Sequence, residues 1–344
     1  MTPAIFGLEG FAISRSERDF FKEAAPVGYI LFGRNVKDRA QLRRLTDDLR
    51  DIAGTSALPI LIDQEGGRVA RMQSPEWQSY PPAAVFESIF ARNPNTAAAA
   101  CRSNFEALAL DLAEVGVSVT CAPVLDVPIP GAHNVIGDRA FSRDPDRVSV
   151  LGRACLDGLL AGGIDGVIKH IPGHGRAGAD SHLELPRVDA SLNDLESDLL
   201  PFMALADASM AMTAHVIYES WDGERCATLS PTIIDGIIRK KVGFDGLLMS
   251  DDLDMKALSG DISDLALEAQ NAGCDVILNC WAKMDDMIAI AEKVATPSSD
   301  TMDRLERVVR GLSVTRPAST LKDRQSALLA QRDALLASGM KGCA

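Results

Sequence analysis

The sequence predicts an α/β fold, a single (β/α)8 TIM barrel with a helical C-terminal extension. Short apolar segments rich in β-branched residues alternate with longer segments of helical periodicity, as expected of a parallel sheet with crossover helices. A chain of 344 residues is long enough for such a barrel plus extensions. The eight predicted strands are residues 4–10, 27–33, 59–65, 117–127, 166–173, 210–218, 246–252 and 274–280.

Helical segments separate these strands. In residues 38–53 the spacing of Leu42, Leu45 and Leu49 puts them on one helix face, and residues 97–114 end before a glycine stop. The long segments 66–96 and 128–143 follow strands 3 and 4 and are expected at the catalytic face. We expect residues 1–315 to form the catalytic barrel and residues 316–344 to form a helical tail that is not a separate domain.

Composition excludes several classes of function. The formal net charge of −13 repels nucleic acid and anionic membrane surfaces. The chain has no apolar run of about 18 residues that could span a bilayer, and the N-terminal segment has no pattern of a secretory signal. We therefore expect a cytoplasmic protein with no nucleic-acid, membrane or obligate protein partner.

The seven cysteines are scattered and show no C-x-x-C spacing. We expect most of them to be buried, reduced and structural. No metal or cofactor is expected. A metal site formed by His170 and His174 is disfavoured because Pro172 and Gly173 break the helix on which that spacing would be useful.

Polar residues recur at the C-terminal ends of the predicted strands, where TIM barrels carry their reactive groups. Such residues cost desolvation free energy unless they are paired or open to a site. One site is expected to hold them all. They are Asp63 and Glu65 after strand 3, Asp126 after strand 4, Lys169 and His170 after strand 5, His215 after strand 6, and Asp251 and Asp252 after strand 7.

The segment KHIPGHGRAGADSH, residues 169–182, holds three of the five histidines and a glycine-rich loop. In such a loop the carboxylate of Asp180 can orient the imidazole of His182 and support its protonated form. A histidine placed in this way can donate a proton to a leaving oxygen. An isolated loop histidine is more often a surface or capping group, but the cluster favours a catalytic role.

The segment GLLMSDDLDMKA, residues 246–257, carries two adjacent aspartates. A carboxylate at a strand end beneath a sugar's anomeric carbon can attack that carbon directly. Adjacent residues point to opposite sides of a strand, so only one can face the barrel mouth. Capping of the following helix is the favoured role for Asp252 and Asp254.

Further strand-end groups suit the binding of a sugar. Carboxylates bind hydroxyl pairs, while arginine and lysine donate to hydroxyl and carbonyl oxygens. The candidates are Asp63, Arg71, Arg139, Lys169 and His170. Taken singly, each arginine is more often a solvated surface group.

The chain resembles the bacterial cytoplasmic β-N-acetylglucosaminidases of glycoside hydrolase family 3, which act in peptidoglycan recycling. The resemblance covers roughly residues 3 to 315 and rests on five ordered motifs. They are IDQEGGRVARM (62–72), IGDRAFSRDP (136–145), KHIPGHGRAGADSH (169–182), MTAHVIY (212–218) and SDDLDM (250–255). A departure is Ile171, where the family often has Phe.

The resemblance implies a role for each motif residue. Asp251 is expected to be the nucleophile, and His182 with Asp180 the general acid/base dyad. The substrate-binding residues would be Asp63, Arg71, Arg139, Lys169 and His170. The implied reaction is retaining exo-cleavage of terminal β-1,4-linked GlcNAc from GlcNAc-1,6-anhydroMurNAc peptides. A β-N-acetylglucosaminide phosphorylase, a non-catalytic sugar-binding barrel and a metal-dependent hydrolase remain alternatives.

Overall fold

The structure, a computed structural model, describes residues 1–181, 183–312 and 321–340. Eight parallel strands form a barrel in which each strand pairs with the next one in the chain and β1 pairs with β8. A bridge between Met249 and Val276 joins the last two strands and closes the barrel. The predicted α/β (β/α)8 fold is therefore confirmed. The strands are β1 (Thr2–Gly7), β2 (Pro26–Leu31), β3 (Ile60–Ile62), β4 (Val119–Thr120), β5 (Asp165–Ile171), β6 (Met210–Thr213), β7 (Leu247–Met249) and β8 (Ile277–Asn279).

Each barrel strand is followed by a principal helix on the outside of the barrel. Asp38 caps the second of these helices, as its Oδ1 accepts a hydrogen bond from Gln41 N at 2.8 Å, close to the predicted start at residue 38. The sixth has π-type hydrogen bonding. The eight helices are α1 (Arg15–Ala24), α2 (Arg39–Ala53), α3 (Pro94–Glu114), α4 (Pro145–Ala161), α5 (Leu192–Ala204), α6 (Thr232–Val242), α7 (Ile262–Ala272) and α8 (Met284–Lys293).

The core has two apolar layers because strand side chains alternate between the barrel interior and the helices. Ile5, Leu61, Val167 and Leu278 belong to the inner layer and are essentially inaccessible to solvent. The outer layer, which includes Leu42, packs the strands against the helices. Burial on both faces explains why the strands read as continuous apolar runs.

Several strands are shorter than predicted. The run 117–127 forms a strand only at Val119–Thr120, and the segment beyond it contains Pro123, which has no backbone N–H to give to a ladder. The runs 59–65 and 210–218 also leave the barrel early. Their ends form a hairpin of Gln64–Gly66 with Val69–Ala70 and a small sheet of Arg187–Val188, Ile217–Tyr218 and Asp222–Cys226. Apolar composition alone does not distinguish a strand from the extended loop that follows it.

Short helical turns occupy the connections at the mouth of the barrel. Residues 66–96, predicted as a long connection, contain the end of the hairpin and two of these turns before α3 begins. The short elements are the 3-10 turns Gly33–Asn35, Ala83–Phe86, Gly137–Arg139 and Ala227–Leu229, and the α-helical turn Glu87–Phe90.

Two helices follow the barrel, α9 (Ser299–Gly311) and α10 (Leu321–Met340). Helix α10 lies within the predicted extension 316–344 and packs on α3. Arg332 Nη1 donates to Asn104 Oδ1 at 3.0 Å, and Gln325 Nε2 donates to Ala107 O at 3.2 Å. Across the described parts of the chain, we find no helix with the length and apolar character needed to cross a bilayer.

Candidate active site

A cavity of about 490 Å³ opens at the C-terminal ends of the barrel strands. Seven of the eight predicted site residues lie in or beside this cavity within the described part of the chain, and the eighth, His182, lies outside the described residues. The seven in its wall are Asp63, Arg71, Arg139, Lys169, His170, Asp180 and Asp251.

Lys169, Asp63 and Arg71 form the first group of this site. The ammonium group of Lys169 on β5 donates to Asp63 Oδ1 at 3.1 Å, and Arg71 Nη2 donates to Asp63 Oδ2 at 2.9 Å. Burial alone would raise the pKa of Asp63, but these two cations outweigh it and hold that pKa well below its usual range. Asp63 is therefore a fixed anion with both oxygens positioned.

Glu65 completes the same network. Arg139 makes a bidentate pair with it, Nε to Oε2 at 2.8 Å and Nη2 to Oε1 at 2.9 Å, and Lys169 Nζ lies 2.6 Å from Oε1. Burial would raise the pKa of Glu65, yet the two cations lower it to about 2. Burial would lower the pKa of Lys169, but Glu65 and Asp63 raise it above its ordinary value. Two anions and three cations thus stabilise one another in a desolvated cluster.

The hairpin after β3 places Arg71. Gln64 Oε1 accepts hydrogen bonds from the backbone N–H groups of Arg71 at 2.8 Å and Met72 at 3.0 Å. The Arg71 guanidinium lies 5.4 Å from the ring centroid of Phe32, and that of Arg34 lies 5.0 Å from it. These cation–π contacts fix the guanidinium of Arg71 toward Asp63.

The histidines after β5 are held by Asp126. Its Oδ2 lies 2.7 Å from His170 Nδ1, and its Oδ1 accepts from His174 N at 2.7 Å. Burial would raise the pKa of Asp126, but His170 lowers it to about 2. With Nδ1 engaged, the other ring nitrogen of His170 can face a ligand. Asp126 itself is fully buried behind the cavity, so the expectation that every strand-end group lines one site is wrong for it.

His215 is a second exception. Its Nδ1 lies 2.7 Å from Thr228 Oγ1, and its Nε2 lies 3.0 Å from the backbone oxygen of Asp252. Thr228 Oγ1 also lies 2.8 Å from Thr213 Oγ1. His215 is fully buried and supports the segment that carries the aspartates rather than lining the cavity.

Asp251 follows β7 and reaches the cavity wall. Its backbone N–H donates to Thr213 Oγ1 at 3.3 Å, and its Oδ1 accepts from Asp252 N at 2.8 Å. Among ionisable groups of the wall, the carboxylates of Asp63, Asp180 and Asp251 come from three different loops. A carboxylate at this position can approach a ring bound in the cavity.

Asp252 and Asp254 do not cap the following helix as predicted, because that helix begins at Ile262 and its cap is Asp261. Asp252 Oδ1 instead accepts from Cys280 N at 3.0 Å and from Asp254 N at 3.2 Å, linking the loops after β7 and β8. Burial, together with the charge of Asp254, raises the pKa of Asp252 to about 7.

The loop after β5 carries Asp180 into the cavity wall. Its base is anchored, since Tyr218 Oη donates to Gly173 O at 2.8 Å and His133 N donates to Ala177 O at 2.9 Å. His174 Nε2 lies 3.0 Å from Ser181 Oγ. Burial lowers the pKa of His174 to about 4, so this ring is neutral near pH 7.

Sequence reasoning did not identify Phe32, Arg34, His174, Lys256 and Trp281 as cavity residues. The strand-end rule could have found Phe32, which directly follows β2, and Trp281, which lies two residues beyond the end of β8. Within the described residues, no group of three His, Cys, Asp or Glu is arranged to hold a metal ion. Six cysteines are buried and free, as predicted, and Cys343 lies outside the described residues.

Comparison with known proteins identifies the family of this chain. Residues 6–311 match the N-terminal domain of glycosyl hydrolase family 3. A β-hexosaminidase of Tolumonas auensis is 37% identical over 312 residues, which cover 89% of this chain and 90% of that protein. A β-hexosaminidase of Alkalilimnicola ehrlichii is 40% identical over 283 residues, covering 81% of this chain and 80% of that protein.

Solved structures give the same grouping. NagZ from Neisseria gonorrhoeae, in complex with N-trifluoroacetyl-D-glucosamine, superposes with a TM-score of 0.85 at 30% identity and covers 96% of this chain and 98% of that one. The family model spans most of the chain, and the relatives are similar over most of their own length. The chain therefore belongs to glycosyl hydrolase family 3, as a glycoside hydrolase that groups with the bacterial β-hexosaminidases.

Proposed function

We propose that this protein is a retaining exo-β-N-acetylglucosaminidase that removes terminal β-1,4-linked GlcNAc. The observation that carries the proposal is the shared cavity. The carboxylate of Asp251 lines the same cavity as the buried cluster of Asp63, Arg71 and Lys169, and Asp180 enters from the loop after β5. The β-hexosaminidases and the sugar-bound NagZ structure among its relatives support the choice of sugar.

In the proposed first step, the terminal ring binds against Asp63, Arg71, Arg139, Lys169 and His170. Asp251 attacks the anomeric carbon while the bond to the leaving oxygen breaks, and protonated His182 gives its proton to that oxygen. Asp180 orients His182. The result is a glycosyl ester on Asp251 and a free leaving alcohol.

In the second step a water molecule attacks the same carbon. Neutral His182 takes the proton from the water, the bond to Asp251 breaks, and GlcNAc leaves with its β configuration retained. A neutral base does not repel an anionic acceptor, so phosphate could replace water in this step. The chemistry is otherwise the same.

The proposed natural substrate is the GlcNAc-1,6-anhydroMurNAc peptide formed during peptidoglycan turnover, with the enzyme acting in the cytoplasm. The support is the similarity to the NagZ structures, which extends over nearly the whole of both chains. Release of GlcNAc from this compound by the purified protein, followed by chromatography, tests the assignment. Failure to release GlcNAc while an aryl β-GlcNAc is hydrolysed would reject this substrate but keep the activity.

Covalent trapping tests the mechanism. Mass spectrometry after treatment with a fluorinated β-glycosyl inactivator should find one adduct, on the peptide that contains Asp251. An adduct on another residue would reject the assigned nucleophile, and binding without turnover would indicate a non-catalytic sugar-binding barrel.

A product assay with and without phosphate addresses the acceptor. Free GlcNAc at an unchanged rate supports hydrolysis, whereas faster release as GlcNAc-1-phosphate would establish phosphorolysis. The same assay in a chelator asks whether turnover depends on a metal, and we expect full activity.

A further inference from the structure

Trp281 is the most exposed aromatic side chain at the mouth of the cavity. It lies two residues beyond the end of β8 and lines the cavity, yet 61% of its surface is exposed. Tryptophan is highly buried on average, so an indole left open beside a site needs an explanation. No described neighbour in the barrel covers it.

The backbone just before Trp281 is held by residues of two other loops. Cys280 N donates to Asp252 Oδ1 at 3.0 Å, and the guanidinium of Arg34 donates to Cys280 O. Arg34 is itself held by Leu8 O at 2.7 Å. The residue before Trp281 is therefore tied directly to Asp252, which is next to Asp251 in the chain.

The cavity has a deep region, which holds the buried charged network, and a mouth, where Trp281 lies. Lys169 and Glu65 are almost fully buried, and Asp63 is largely buried, so the network that would hold the terminal ring is deep. Trp281 lies at the mouth. In an exo-acting enzyme the terminal ring enters first, and the leaving group projects outward past the mouth.

We propose that Trp281 is a stacking platform for the leaving saccharide ring, and that Lys256, which lines the same cavity, recognises an acidic group on that saccharide. This inference rests on the proposed exo-glycosidase function and extends it to the leaving-group side. A pyranose ring presents C–H groups on its faces, and these pack well against an aromatic face, which also has negative electrostatic potential. A rigid indole loses little conformational entropy on binding.

The charges at this wall favour an acidic leaving group. Lys256 is exposed and lines the cavity. The nearby carboxylate of Asp254 is buried and already compensated by Lys283 at 3.0 Å and Asn279 at 2.5 Å. The ammonium group of Lys256 is therefore available for a carboxylate on the leaving group, such as the lactyl carboxylate of a muramic acid that carries no peptide, with an attraction that salt weakens.

Steady-state kinetics on two disaccharides test the proposal. Both carry the same terminal GlcNAc, one linked to neutral GlcNAc and the other to muramic acid with its lactyl carboxylate. Trp281→Ala should raise KM for both disaccharides by roughly three- to tenfold. Trp281→Phe keeps an aromatic face, so its KM for both should return most of the way to the wild-type value. Lys256→Gln should raise KM about two- to fivefold for the acidic disaccharide only, and less at 0.5 M salt.

Inhibition by free GlcNAc separates the leaving-group side from the deep pocket. Its inhibition constant should stay within about twofold in both variants, since GlcNAc occupies only the terminal position. Leu160→Ala and Lys22→Ala remove exposed side chains on outer helices and serve as matched controls. A Trp281→Ala enzyme with unchanged KM for both disaccharides, or with an equal rise in the GlcNAc inhibition constant, overturns the platform.

The proposed glycosidase activity and the proposed Trp281 platform can be rejected independently of each other. If the wild-type protein releases GlcNAc from no β-glycoside, that function is rejected, and calorimetric titration of the two disaccharides then tests the platform alone. Weaker binding of both by Trp281→Ala supports the platform. Equal binding by the variant and the wild type overturns it.

Discussion

Lys169 Nζ lies 3.1 Å from Asp63 Oδ1, which joins two residues that are 106 positions apart in the chain. The same ammonium group lies 2.6 Å from Glu65 Oε1. One cation therefore compensates two buried carboxylates from the loop after β3. The pair fixes the rigid wall of the site, against which a mobile ligand can be oriented.

Replacement of Lys169 should be costly. In Lys169→Met the carboxylates of Asp63 and Glu65 lose a shared partner, and we expect the free energy of unfolding to fall by about 3–5 kcal/mol. Denaturant titration measures the loss. Lys240→Met, which breaks an exposed pair with Asp235, should cost less than about 1 kcal/mol. If Lys169→Met also lowered the free energy of unfolding by less than about 1 kcal/mol, the buried cluster would not stabilise the fold as proposed.

Replacement of Asp251 should remove turnover without unfolding the protein. Asp251→Ala should lower kcat on an aryl β-GlcNAc by roughly 10⁴- to 10⁶-fold, because the attacking group is lost. Azide, entering the vacated space, should restore part of the rate and give the α-glycosyl azide. Near-normal activity in the variant, or a β-azide product, would reject the assignment, and circular dichroism controls for folding.

Removal of the proposed acid should depend on the leaving group. His182→Ala should slow a disaccharide by about 10²- to 10⁴-fold, whereas a nitrophenyl glycoside, whose leaving group needs little protonation, should have a much less affected bond-cleavage step. Burst kinetics on the aryl substrate isolate that step. Asp180→Asn should show the same pattern more weakly. Equal losses on both substrates would argue against an acid role.

Asp252 should make stability depend on pH. Its pKa in the folded protein is raised to about 7, so between about pH 4 and pH 7 the folded state binds more protons than the unfolded state. The contribution of this group to stability therefore decreases as pH rises through that window. Asp252→Asn keeps an oxygen for the N–H groups of Asp254 and Cys280 but cannot ionise.

Thermal melts at pH 5 and pH 8 check this expectation. The wild-type protein should lose more Tm between the two values than Asp252→Asn does, by about 2 °C or more. Asp235→Asn, at an exposed carboxylate, should follow the wild type. Identical pH dependence in Asp252→Asn and the wild type would show that the carboxyl group of Asp252 titrates no differently in the two states.

The amino-acid pattern was enough to predict the barrel and several of the polar residues at its mouth. Eight apolar runs separated by amphipathic helices admit few architectures, since parallel strands need crossover helices and must be covered on both faces. Strand-end polarity then indicated Asp63, Lys169, His170 and Asp251, because the carboxyl ends of barrel strands meet at one face. The histidine-rich loop indicated Asp180 and His182, and the motif resemblance then assigned roles to these two residues and to Arg71 and Arg139.

Which polar residues face the cavity and which lie behind it became clear from the folded structure alone. Asp126 and His215 occupy strand-end positions like those of Lys169 and Asp251, yet they are fully buried supports. The sequence could not reveal this, because the direction of a side chain beyond a strand depends on partners such as Thr228 and His174, brought close by folding. The position of Cys280, the residue before Trp281, likewise depends on long-range contacts, those that Arg34 and Asp252 make with its backbone. Alternation along a strand is a local property, whereas burial at a loop is set by whatever the rest of the chain packs against it.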